Sequence, residues 1–249
     1  MIYAALTFWL LIIVFAAWGV HLLWSGLLKR RTVNLLLLPG TLVAQLGYVL
    51  GVLVSGGTVN NTTVIKDDET AEPQQADNPQ PRIPVIGPVL IGMLPLVACA
   101  VGICVASGYL GKDIVERFGH QPLATSLPLG LAGFWQLLRD MITLAEQGVD
   151  AVRAADVFQL RTAVFIYLVI CLAVRMAPFP GNLRGSLGAI ILVGLAAALL
   201  GLLTTASVDI IHRGWPVLSF AVAVLLVLLM LSLMIRGLVE LIRVLAKQG

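Results

Sequence analysis

The chain has 249 residues, of which 59% are apolar and only 12% are charged. A soluble domain is about 45–50% apolar and about 25% charged, so a water-soluble globular fold is excluded. The net charge is only +3 and no basic cluster exceeds Lys29-Arg30-Arg31, so a nucleic-acid partner is excluded too. What remains, with a mean hydropathy of +0.98, is a polytopic α-helical membrane protein whose partner is the lipid bilayer.

Residues 2–28 carry no Asp, Glu, Lys or Arg and end at the basic triplet. The stretch is longer than the core of a signal peptide, about 7–15 residues, and no basic segment precedes it. It reads as a transmembrane helix. A second span follows at residues 33–54, with Pro39-Gly40 near its start. Residues 55–84 form an exposed polar loop. Its first part, 56–65, is rich in Thr, Val and Asn and predicts a short β-hairpin turning near Asn60-Asn61. Its second part carries Asp67, Asp68, Glu69, Glu72, Asp77 and four prolines, a composition that resists packing into a core.

The third span is residues 85–110. Residues 111–160 form a loop region with one amphipathic helix at 131–146. There Leu131, Phe134, Trp135, Leu138, Ile142 and Ala145 recur at helical spacing, which predicts an apolar face set in the membrane interface or packed on the bundle. A fourth, short span at 162–174 is extended by Arg161 and Arg175, whose long stems can snorkel to the interface. The fifth span, 187–208, closes with Asp209, His212 and Arg213. The sixth, 215–235, continues as a helix to Lys247. The expectation is a single membrane domain over residues 1–249 with six spans, and seven as the alternative. A crossing at 121–138 would bring Arg236, Arg243 and Lys247 to the side of the basic triplet, as the positive-inside tendency favours. The prolines and glycines of that stretch and its helical pattern favour six. The cysteines Cys99, Cys104 and Cys171 all fall in apolar runs and read as small buried hydrophobes.

Ionisable residues inside the spans are nearly absent, so few side chains are candidates for chemistry. One constellation stands apart. Span two contains Ala44-Gln45-Leu46-Gly47-Tyr48, the Gly-Gly hairpin segment follows, and Gly87-Pro88 opens span three. This order resembles the site-2 protease family of intramembrane zinc metalloproteases. Those proteins carry His-Glu-Leu-Gly-His in an early membrane helix and a later Asp as third zinc ligand. The resemblance places Ala44 at the first His, Gln45 at the Glu and Tyr48 at the second His, with Leu46-Gly47 matching. It also places Asn182, in Pro180-Gly181-Asn182-Leu183-Arg184, at the Asp.

Every substitution removes a needed group. Zinc takes two neutral imidazoles from i and i+4 of one helix face. The Glu serves as general base toward the metal-bound water. Ala44 cannot ligate, Gln45 cannot accept a proton, and Tyr48 and Asn182 are poor ligands. The resemblance therefore implies a pseudoprotease with no catalytic residue, no metal and no cofactor. Such a protein would bind or scaffold another membrane protein. Separately, the short loops and compact bundle point to a prokaryotic inner membrane. Gly47 and Gly51 read as a small-residue face for helix packing. A small transporter or channel, or an assembly subunit of a membrane complex, is the alternative.

Overall fold

The computed structural model describes residues 2–58, 86–112, 114, 130–155, 158–177, 188, 190, 191, 194 and 206–248. Every regular element among the described residues is a helix: α1 (Ile2–Leu27), α2 (Arg30–Leu36), α3 (Leu38–Val54), α4 (Ile86–Tyr109), α5 (Gly130–Ala154), α6 (Leu160–Val174) and α7 (Ala206–Gln248). Three stretches, Ile2–Leu27, Gly87–Tyr109 and Leu218–Ala246, are long and apolar enough to cross a membrane. Most of the expected hairpin, the acidic segment, Asn182 and most of span five lie outside the described residues.

The expected second span is not one helix. It breaks at Leu37 into α2 and α3, bent by 76°. Pro39 lacks the N–H that would bond the Leu35 carbonyl, and its ring crowds that same carbonyl. The Leu37 carbonyl restarts the ladder by accepting from the Thr41 amide and hydroxyl at 2.9 and 3.0 Å. The Leu36 carbonyl accepts from Tyr167 Oη at 2.8 Å and from Cys171 Sγ at 3.4 Å. The Leu36 carbonyl at the bend is thus met by side chains of α6, as apolar surroundings require.

Contacts fix the helix directions. Gly19 of α1 packs on Leu229 of α7, Trp24 Nε1 donates to Ser232 Oγ at 2.8 Å, and Gly26 meets Arg236. Residue numbers rise together in both helices, so α1 and α7 are parallel. Helices α3 and α4 are antiparallel: Gly47 faces Leu94, Pro95 and Ala98, whereas Gly51 faces Leu90 and Ile91. Helix α6 runs antiparallel to α4, with Gly102 against Leu172 and Gly111 against Phe165. Phe165 also stacks on Phe220 of α7, centroids 6.0 Å apart.

Three further expectations change. The residues expected to close span five, Asp209, His212 and Arg213, instead lie in the first turns of α7, which passes without a break through Pro216 to Gln248. Pro216 is tolerated because only one ladder bond is lost in a 43-residue helix. Helix α5 forms, but it buries Leu137, Leu144, Ala145 and Ala151. Of the expected apolar face, only Ala145 is buried. Leu131, Phe134, Trp135 and Ile142 point away from the bundle. Finally, Cys99 and Cys171 are buried but Cys104 is exposed on the outer side of α4.

Candidate functional site

The motif positions sit on one face of α3. Residues 44 and 48 are one helical turn apart and Gly40, Ala44, Gly47 and Gly51 continue the same stripe. The stripe is small because backbones meet there. A Cβ on Gly40 would lie 2.2 Å from the Cys171 carbonyl oxygen, and one on Gly47 would lie 2.6 Å from the Leu94 oxygen. No ordinary side chain fits at either place, so α3 is held close to α4 and α6. This is how helices associate in lipid, where burial of apolar surface gives little drive and close van der Waals contact gives most of it.

Ala44, Gln45 and Tyr48 are consequently closed off from solvent. Ala44 belongs to the main core with Cys99, Ile103 and Leu172. Tyr48 packs with Val52 and Ile91 of α4. Gln45 is only 4% exposed, and its Nε2 has no hydrogen-bond acceptor among the described residues. A buried amide donor without an acceptor carries a desolvation cost of about 1–3 kcal/mol. Asn182, the fourth motif position, lies outside the described residues, so only three of the four positions are placed. Among the described residues no three of His, Cys, Asp and Glu gather closely enough to hold a metal ion.

A second polar centre was not legible in the sequence. Arg175, expected to snorkel from the end of span four, is buried and donates through Nη2 to Asn34 Oδ1 at 2.8 Å. The α2–α3 bend brings Asn34 against the C-terminal end of α6, where a cation is favoured by the helix dipole. Arg161, at the other end of α6, donates to the Tyr109 carbonyl of α4. Both arginines therefore tie helices together. The signals available beforehand were Pro39 and the unusual Asn34 just after a basic triplet, but their pairing is non-local.

An open apolar groove of about 260 Å³ lies between α5, α6 and α7, walled by Gly148, Phe165, Val169, Phe220, Val224 and Val227. It is separate from the α3 face. Comparison of the chain with protein-family models, with curated proteins and with solved structures gives no match.

Proposed function

We propose that this chain is a non-catalytic integral membrane protein, an inactive counterpart of the site-2 proteases, that holds or scaffolds another membrane protein rather than cutting it. The observation that carries the reading is the placement of Ala44, Gln45 and Tyr48 together on one closed helix face. A metalloprotease would present its base and ligands at the corresponding positions. Here that face offers a methyl group, an amide and a phenol, so it has neither a base for water nor a pair of imidazoles for zinc. What it offers instead is packing and a polar amide in an apolar interior.

The topology that fits this reading has an odd number of crossings, seven rather than six. The support is the parallel course of α1 and α7, which puts the last helix's C-terminal end on the side of Lys29-Arg30-Arg31. That arrangement also gathers Arg236, Arg243 and Lys247 on the basic side. A prokaryotic inner membrane is the location we assign.

The test is a disulfide between Tyr48→Cys and Asn182→Cys, in the full chain with its three native cysteines replaced, oxidised in native membranes. Bridging requires Cα atoms within about 7 Å. A rapid intramolecular crosslink is the expected result, because the protease arrangement brings these positions together. Absence of that crosslink, while Trp24→Cys/Ser232→Cys bridges normally, would overturn the pseudoprotease reading.

A further inference from the structure

The groove between α5, α6 and α7 has a direction. One end of α6 meets Asn34, beside the basic triplet, through Arg175, and its other end meets the Tyr109 carbonyl through Arg161. Phe165 and Phe220, stacked on each other, therefore mark the end of the groove away from the basic side, and Leu231 marks the other end. Phe220 stands two residues inside the apolar stretch Leu218–Ala246, so the groove opens close to a hydrocarbon boundary and runs inward. From Phe220 to Leu231 it follows α7 for about 16 Å, at 1.5 Å per residue. That is the depth of one leaflet, half of a hydrocarbon core about 30 Å thick.

The wall of the groove carries one charge, Arg153, and every other lining residue is apolar or glycine. Arg153 sits in the last turn of α5, and α6 begins only a few residues later, so this cation lies at the Phe165 end, where the groove opens. It is exposed and makes no hydrogen bond or ion pair among the described residues. No carboxylate lines the groove, and Asp150 lies across α5 from Gly148 and Val152. A cation at the mouth of an apolar slot one leaflet deep is complementary to an acyl chain with an anionic head. The planar guanidinium also suits phosphate, which it can meet with two parallel N–H bonds. A protein helix fits less well. A volume of about 260 Å³ spread over that length leaves a slot narrower than the 10–12 Å diameter of a helix with its side chains.

We propose that this groove binds one acyl chain of an anionic phospholipid, drawn from the leaflet opposite the basic triplet, with Arg153 holding the lipid phosphate. A zwitterionic lipid brings the same phosphate, but its own ammonium group offsets the attraction, so the site selects a net negative head. The stem of Arg153 lies along the apolar wall while its charged end reaches the interface. The inference rests on the groove and Arg153 alone and is independent of the protease resemblance.

The experiment offers the full chain, purified in mild detergent, phosphatidylglycerol and phosphatidylcholine with identical acyl chains, and measures the lipid retained by native mass spectrometry. Phosphatidylglycerol should be retained over phosphatidylcholine by at least about fivefold, the gain that one cation gives toward an anionic head group. Arg153→Gln should bring that ratio to about one. Arg139→Gln, exposed on the same helix but outside the groove, should leave it unchanged. Gly148→Phe should displace both lipids, because Gly148 lines the groove and a ring there must enter it. Glycerol phosphate, a head group without a chain, should not compete. The Trp24→Cys/Ser232→Cys bridge, with the native cysteines replaced, reports that each variant is folded. If Gly148→Phe loses that bridge, Val152→Phe fills the same groove in its place. An unchanged ratio in Arg153→Gln, an equal loss in Arg139→Gln, or lipid retained in the filled groove would overturn the proposal. So would competition by glycerol phosphate, which would assign Arg153 to a soluble anion. Protection of Val152→Cys from a membrane-permeant maleimide in native membranes, with neither lipid retained, would assign the groove to a protein segment and overturn it as well.

Discussion

Replacing Gly47 with Ala tests how tightly α3 is held to α4. The new Cβ would sit 2.6 Å from the Leu94 oxygen, 2.7 Å from Pro95 Cα and 2.8 Å from Ala98 Cβ. Ordinary contact begins near 3.4 Å, so the helices must part by about 0.8 Å along this stripe. Two of the three atoms are backbone and the third is an alanine methyl, so no rotamer change relieves the clash. Overpacking of this kind costs about 1–3 kcal/mol. The gain in helix propensity from Gly to Ala returns about 1 kcal/mol. The net expectation is a loss of up to about 2 kcal/mol, read as the shift in an SDS-unfolding midpoint in mild detergent. Gly237→Ala is the control, since nothing lies within 4 Å of its added Cβ. It should gain up to about 1 kcal/mol from propensity alone. If Gly47→Ala unfolds at the same denaturant fraction as Gly237→Ala, the close α3–α4 approach is wrong.

Gln45→Leu should stabilise the chain by about 1 kcal/mol in the same assay, because it removes a buried donor with no acceptor among the described residues. A loss instead would mean that the amide has a partner beyond the described residues. Asn34→Ala should cost about 1.5–3 kcal/mol, since it takes a hydrogen bond from a buried guanidinium. The double variant Asn34→Ala/Arg175→Met should lose less than the sum of its single variants, and strict additivity would show that the two side chains do not interact. Trp24→Phe should cost about 0.5–1.5 kcal/mol through its bond to Ser232, with the loss absent when Ser232 is already Ala.

The apolar helices were legible in the sequence because their length and lack of charge are local properties. The i, i+4 arithmetic likewise placed Ala44 and Tyr48 on one face without any structure. The 76° bend was only half legible. Pro39 marks a helix start, but how far the chain turns depends on Tyr167 and Cys171 accepting the role of donors to the Leu36 carbonyl. Those residues lie far off in the sequence. Arg175 misled for the same reason: a cation at the end of an apolar run reads as snorkelling until Asn34 is brought to it. Helix α5 misled differently. Its larger apolar side chains, Leu131, Phe134, Trp135 and Ile142, marked one face, yet the bundle takes the other, where Leu137, Leu144 and Ala151 repeat every seven residues and sit more closely against a neighbour. Periodicity alone ranks faces by hydrophobicity, whereas lipid accepts the bulkier face and protein takes the one that packs.

Helices α1 and α7 run parallel, so their C-terminal ends lie toward the same end of the bundle. That relation is tested most directly by labelling Lys29→Cys and Lys247→Cys with a membrane-impermeant thiol reagent, in right-side-out and in inverted membrane vesicles, after the native cysteines are replaced. Both positions should react in the same vesicle orientation and be protected in the other. Reaction of the two positions in opposite orientations would contradict the parallel arrangement and everything built on it.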